Sequence, residues 1–481
     1  MNVSIVEHES IADHVKLARA AQSAWARTPL AERLTVIGRM RRALSVDARN
    51  VAEQLTSALP QRRSTAETLA AEVLPLLDGW RFLEKRARAV LRPRQLGARG
   101  RPIWLWGSRS TIYREPKGVV LIICPFNYPL LLGGAPMGQA LTAGNAVLLK
   151  PGRLGQPAAA MLAKLALDAG LPTGLVQVLD DSIEAGLNAI DVGVDHVVMT
   201  GSSQAGRDVM RRCTEQLTPV TLELSGCDSV FVQADADLDH VTRCLTFGLS
   251  INSSATCIAP RRAWVHEACH DALCQRLAKA FKDGPALHAQ PTAVDRLRVL
   301  VEQARQDGAE LIAGEAMGDG RVRPFVLKNV SPADELLRTD LFAPVLSLVS
   351  VASDEQALSL DQACDYALGA SVFGKPKSAA ALAQQVQAGV VTVNDLIAPT
   401  ADPRLPFGGR GESGFGVTRG AAGLLELTQI RCVVDRPARL QAHLMPQRDN
   451  DADRIETLIQ ASHGPWRRRI QAWRKLIRMG Q

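Results

Sequence analysis

The sequence predicts an α/β protein built on two doubly wound parallel sheets, with a small added β element. Three observations carry that expectation. From Gly118 onward, short runs rich in Val, Ile and Leu alternate with helix-length stretches. That order is what parallel βαβ units require. The alternation runs through residues 118–224 and again through 225–423, so two sheets are expected. With 481 residues, the chain has room for several domains of about 150 residues each.

Residues 11–90 read as mostly helix, because apolar positions recur at helical spacing with few Gly or Pro. Residues 92–118, rich in Arg, Pro and Gly, read as a loop leading into an extended segment. Strands are then expected at 119–124, 146–149, 176–179, 196–199 and 220–224, with helices at 156–169 and 204–216. Ligands of such sheets bind at the carboxyl ends of the strands. The stretch 127–149 carries no charge but holds Pro129, Pro136 and four glycines. It fits a buried helix with loops better than a membrane span. Beyond Asp435 the alternation stops.

Composition narrows the class. Hydrophobic residues make up 46% and charged residues 22%, as in ordinary soluble proteins. The first residues show no secretory signal. The nine cysteines lack CxxC spacing and are odd in number. Free thiols in a cytoplasmic setting are expected, without a metal site or a disulfide framework. Of the net charge of +7, six positive charges lie in residues 464–481, which hold no acid, leaving +1 for the rest. A nucleic-acid surface is therefore not expected.

Four segments carry chemistry. Pro125-Phe126-Asn127-Tyr128-Pro129 ends the first strand and places an amide donor there. In Met199-Thr200-Gly201-Ser202-Ser203-Gln204-Ala205-Gly206 a strand gives way to a helix. Backbone N–H groups and the positive helix end suit a pyrophosphate there, although GxGxxG spacing is absent. Leu222-Glu223-Leu224-Ser225-Gly226 sets one carboxylate on an apolar strand. Asn252-Ser253-Ser254-Ala255-Thr256-Cys257-Ile258-Ala259-Pro260 carries a candidate nucleophile.

In this order the four segments resemble the aldehyde dehydrogenase superfamily. Lys150-Pro151, Phe342-Ala343-Pro344, Val393-Asn394-Asp395, Pro406-Phe407-Gly408-Gly409 and Glu412-Ser413-Gly414-Phe415-Gly416 extend the match over residues 10–435. Residues 217–224 look most like the branch acting on fatty and aromatic aldehydes. The resemblance implies an NAD(P)-binding domain from 1–97 and 117–224, and a catalytic thiol domain at 225–423. It also implies a bridging and oligomerisation element at 98–116 and 424–440, which closes a homodimer. The implied reaction oxidises an apolar aliphatic or aromatic aldehyde to the acid. Cys257 would attack as thiolate. Asn127 and the Cys257 N–H would hold the oxyanion. Glu223 would activate water against the thioester. Pro125, Phe126, Lys150, Arg153, Gly201, Ser202, Gly206, Asp340 and Phe342 would line the NAD or NADP site.

The chain also departs from the family pattern. Arg153 stands where an acid usually meets the ribose hydroxyls, and a guanidinium suits a 2′-phosphate, so NADP is expected to be tolerated. The alternative is that Arg153 points to solvent. Ser225, Cys227, Ser254, Ala255 and Ala343 replace the usual Gly, Lys, Gly, Gln and Gly, and Asp340 replaces Glu. An alternative function is therefore a catalytically weak relative serving as a membrane-associated binding or scaffold protein. Another is acyl transfer to coenzyme A, which the retained Glu223 argues against. A remote one is a zinc hydrolase, from His266-Glu267-Ala268-Cys269-His270. Finally, Trp466, Ile470, Trp473, Leu476 and Ile477 share one face of a helix expected at 465–479 within the tail 441–481, with arginines opposite. That helix fits an anionic membrane surface, with peripheral attachment to the inner face of a membrane; the alternative is a helix packed on a neighbouring subunit or over the active-site mouth.

Overall fold

A computed structural model describes residues 10–282, 284, 286–437, 442–444, 446 and 448–479. Helices come first, as the periodicity requires. Ile11–Trp25 starts at Ser10, whose side chain accepts from the Asp13 N–H while Asp13 reaches back to the Ser10 N–H. Leu30–Val46 and Leu74–Leu91 follow, and Ile37, Met40, Leu44, Leu76, Trp80 and Leu83 are buried on their inner faces. The charge-free stretch becomes the helix Pro129–Ala143, buried along most of its length. Gly138 is required there, since a Cβ would lie 2.5 Å from the Trp80 indole. Trp80 Nε1 also donates to the Gly134 carbonyl at 3.0 Å.

The first sheet has Val119–Ile123 near its middle. On one side lie Ala146–Lys150 and Val176–Val178, and on the other His196–Gly201 and Val220–Leu224, all parallel. Val119–Ile122 and the whole of Ala146–Lys150 are buried, so these strands read as unbroken apolar runs. The helices Gln156–Asp168 and Ser203–Thr214 fall within two residues of their expected bounds.

The second sheet sets Asp228–Val232 between Pro260–His266 and Gly369–Phe373, again parallel. Val345–Val351 and Arg321–Lys328 extend it on one side and Val390–Val393 on the other. Glu310–Gly318 joins as an antiparallel hairpin partner. Its two-residue turn is Asp319-Gly320, with φ of 51° and 72°, the positive pair that a type I′ turn needs. The last pairing matters most for function. The short strand Gly414–Phe415 returns to the first sheet and pairs antiparallel with Val220–Leu224, setting Gly414 opposite Glu223.

These sheets and helices belong to one compact unit, Met1–Leu91 with Glu115–Gln429. A second unit takes Arg92–Arg114 and Ile430–Gln481. Arg94–Leu96, Arg109–Pro116 and Thr428–Asp435 form a three-stranded sheet, the first two antiparallel. The expected tail helix is present as Trp466–Met479, preceded by an unforeseen helix, Asp451–His463. Residue 424 lies inside the helix Gly420–Glu426, which stays with the first unit, so that unit's compact boundary falls later than the expected 424. Residues 438–441 and 480–481 of the expected bridge and tail lie outside the described residues. Among the described residues no helix is long and apolar enough to cross a membrane.

Candidate active site

Cys257 follows the helix Leu238–Ser250 and a single tight turn. That turn is unusual: Asn252, Ser253 and Ser254 adopt φ of 49°, 53° and 64° in succession. Each left-handed non-glycine residue costs roughly 1–2 kcal/mol. Hydrogen bonds offset the cost. Asn252 Nδ2 donates to the carbonyls of Asn127 at 3.0 Å and Ala255 at 2.9 Å. Ser253 Oγ donates to the Gln61 carbonyl at 2.8 Å. Arg261, wholly buried, donates to both Ser254 Oγ at 2.7 Å and the Ser254 carbonyl at 2.8 Å.

Asn127 is held from two sides. Its Nδ2 donates to the Ala255 carbonyl at 3.0 Å, which uses one of two amide hydrogens. Its own carbonyl accepts from Arg62 Nη2 at 3.2 Å. Arg62 in turn pairs with Glu72 at 2.7 Å, both side chains fully buried. Glu72 spends its other oxygen on the Leu130 and Leu131 N–H groups that open the helix Pro129–Ala143. Tyr128 OH and Thr256 Oγ1 meet at 2.6 Å beside the cysteine.

Glu223 is buried on its strand. One carboxylate oxygen accepts from Thr418 Oγ1 at 2.9 Å; the other is buried with no partner among the described residues. Burial pushes this carboxyl above its ordinary range, while Arg419 and the Thr418 hydroxyl pull it down. Burial also pushes the Cys257 thiol up, aided by Glu223 and Asp228, and Arg419 opposes them. Thr418 and Arg419 reach the site because the strand Gly414–Phe415 has just paired with that of Glu223.

Two cavities open here. One, of about 410 Å³, is mostly apolar, with Leu131, Leu132, Phe247, Ile251, Ile397 and Phe407 among its walls. The other, of about 460 Å³, lies along the carboxyl ends of the first sheet's strands. The residues common to both linings are Glu223 and Cys257.

The second cavity gathers Pro125, Phe126, Asn127, Arg153, Gly201, Ser202, Asp340 and Phe342, each expected from sequence. It suits a dinucleotide. Ser202 caps the helix Ser203–Thr214, accepting from the Ala205 N–H at 3.2 Å, and so turns a positive helix end toward the cleft. Asp340 Oδ2 is buried without a partner among the described residues, while Oδ1 accepts from the Phe342 N–H at 2.9 Å and lies 3.5 Å from Arg261 Nε. Arg153 is exposed at the rim. Two expected residues are not in this wall. Gly206 packs its helix onto the sheet, since a Cβ would meet Leu224 at 2.8 Å. Lys150 is buried at its strand end, with its charge disfavoured by burial and supported by Asp181.

Sequence patterns missed Arg419, Thr418 and the Arg62–Glu72 pair. Their partners are distant in sequence, so no local spacing announces them. The HExxH segment does not form one helical face. His266 ends the strand Pro260–His266, the helix begins at Glu267, and His270 is buried against Cys274.

Residues 1–433 match the model of the aldehyde dehydrogenase family. A 4,4'-diapolycopene aldehyde oxidase from Methylomonas sp is 33% identical over 421 residues, covering 85% of this chain and 78% of that one. The dimeric NADP-preferring aldehyde dehydrogenase of Rattus norvegicus is 29% identical over 451 residues, covering 90% and 96%. The crystal structure of a putative aldehyde dehydrogenase from Burkholderia cenocepacia superposes with a TM-score of 0.81 at 28% identity, covering 89% and 91%. With the fold and the site in agreement, the chain belongs to the aldehyde dehydrogenase family.

Proposed function

We propose that this protein oxidises an apolar aliphatic or aromatic aldehyde to its acid, with Cys257 as nucleophile, Asn127 as oxyanion donor and Glu223 as general base. The observation that carries this is the meeting of two cavities at Cys257 and Glu223 alone. Cys257 adds as thiolate to the aldehyde carbon from the apolar side. The free amide hydrogen of Asn127 and the Cys257 N–H receive the oxygen as its charge grows. A nicotinamide nucleotide held in the second cavity by Gly201, Ser202, Asp340 and Phe342 would supply a hydride acceptor, so that Cys257 would carry the acyl group as a thioester. Glu223 then takes a proton from water as that water attacks the thioester carbon, and the cysteine leaves as thiolate. Glu223 at the boundary of the two cavities supports water rather than coenzyme A as the final acceptor.

Family members use NAD or NADP. Arg153 at the rim supports use of NADP here, as does the resemblance to an NADP-preferring relative. Gly201, Ser202 and the helix end would take the pyrophosphate, and Asp340 and Phe342 the nicotinamide end. Lys150 would serve the adenosine end only by turning its side chain. The two large sheets would divide cofactor and thiol duties at Ser225. The strand Thr428–Asp435 lies at a sheet edge with Ile430 and Val434 exposed, which supports a homodimer through that edge.

Cys257→Ala tests the central claim. NAD(P) reduction with an aldehyde chain-length series should fall by about 10⁴-fold or more, as removal of a nucleophile does elsewhere. Activity that survives the substitution removes the proposal.

A separate observation favours work at a membrane. The helix Trp466–Met479 exposes Trp466, Ile470, Trp473 and Ile477 amid six cations. We infer peripheral binding to the anionic inner face of a membrane. The full chain should partition onto anionic vesicles and a chain ending at Ser462 should not; equal partitioning sinks the idea.

A further inference from the structure

Arg419 is the group beside Cys257 and Glu223 that has no assigned task. Its backbone sits at φ 61°, next to Gly420 at φ 60°, a costly shape for a residue with a side chain. The shape turns the guanidinium inward. Its Cζ lies 4.2 Å from the centre of the Phe407 ring, and Nη1 donates to the Thr400 carbonyl at 3.0 Å. Nε is buried with no hydrogen-bond partner among the described residues. Its neighbour Thr418 holds Glu223 directly. Arg419 thus lines the same apolar cavity as Glu223 and Cys257.

Burying a guanidinium without a carboxylate touching it is expensive. Phe407 offsets part of that cost through cation–π attraction. Arg419 is half-buried, so solvent supplies part of the rest, and negative charge at the site adds to it. The titratable groups that act on it are Glu223 and Cys257, while Asp228 and Asp340 act on Cys257. Arg63, Glu67 and Tyr128 complete the charged and titratable groups of the cavity wall. Two adjacent anions, at the buried Glu223 and the half-buried Cys257, would repel each other. One anion shared between them would not.

We propose that Arg419 is the fixed counter-ion for a single negative charge that moves between Cys257 and Glu223. Resting on their roles proposed above, the sequence of charges is simple. Glu223 takes the thiol proton, directly or through a water, so the carboxylate becomes neutral and the thiolate forms. When the thioester is made, the sulfur is neutral and Glu223, having released that proton to solvent, is again the anion. Arg419 faces one negative charge at each of these stages, and the site stays neutral overall. Arg419 acts through the other two residues, so it is a positioning residue.

The test is the pH profile of kcat/KM, together with alkylation of Cys257 by iodoacetamide in the cofactor-free enzyme. Arg419→Met and Arg419→Gln should move the acid limb of both profiles upward by at least one pH unit, slowing each reaction about 10-fold at neutral pH. Neutral variants that are slower but keep the wild-type inflection overturn the proposal. Arg419→Lys decides independently of whether the neutral variants fold. A lysine should add an alkaline loss of rate as its ammonium deprotonates, a limb that guanidinium does not impose. A lysine variant with the wild-type alkaline limb also overturns it. Failure of Cys257 as nucleophile would appear differently, as activity retained in Cys257→Ala.

Discussion

The two cavities are of similar size but are built by different means. The cofactor-side cavity is made of strand ends, a helix end and tight turns, with Asn127, Arg153, Ser202 and Asp340 among its polar side chains. The substrate-side cavity is made of side chains from the N-terminal helices, the helix Pro129–Ala143 and the loop 397–407. A family can keep the first by keeping its turns, and can change the second residue by residue. That difference explains why the cofactor motifs stand out in sequence while the substrate does not.

Substitutions can break or sharpen this contrast. The largest expected effect is at the shared boundary. Glu223→Gln should lower kcat by about 10²–10⁴-fold in steady-state kinetics. The same variant has a stability signature. The carboxyl's folded-state pKa lies above its ordinary value of 4.5, so stability is full below that value and is lost as pH rises through the folded pKa. Between pH 4 and pH 8 the wild type should therefore lose more melting temperature than Glu223→Gln, whose side chain does not titrate. Parallel losses would remove the burial argument. Next, Asn127→Ala should lower kcat by about 10²–10³-fold with little change in the affinity for either nucleotide, read from steady-state kinetics and from titration. The smallest effects should separate the two cavities. Arg153→Ser should shift the NADP over NAD preference by about 10-fold, the weight of one charge-assisted contact, and leave aldehyde KM alone. Phe247→Ala should do the reverse, raising KM for long apolar aldehydes by about 10-fold with both nucleotides unaffected. If either variant moves both parameters together, the cavities are not independent.

The sequence made the parallel sheets legible because buried strands such as 119–123 and 146–150 are unbroken apolar runs, flanked by turn residues. Cys257, Glu223 and Asn127 were legible as candidates through their neighbours, since each sits in a matched segment, and all three line the second cavity. What stayed hidden depends on tertiary pairing. Arg419 looks like a surface arginine until Gly414–Phe415 pairs with the strand of Glu223. Glu72 is a lone acid in a helix until Arg62 and two backbone N–H groups converge on it. The helix Asp451–His463 went unread because polar residues interrupt its apolar face. Gly206 shows the opposite error: a glycine placed correctly beside a cofactor loop serves packing against Leu224.

The return of Gly414–Phe415 to the first sheet has a consequence for how the enzyme comes into being. The proposed nucleophile, oxyanion donor and base all lie within the first 257 residues, yet the groups that hold Glu223 and would balance it stand at 418 and 419. A chain made from its N-terminus would therefore carry the thiol before the groups around Glu223 exist, and full reactivity toward aldehydes would wait for Gly414–Phe415 to pair with the strand of Glu223.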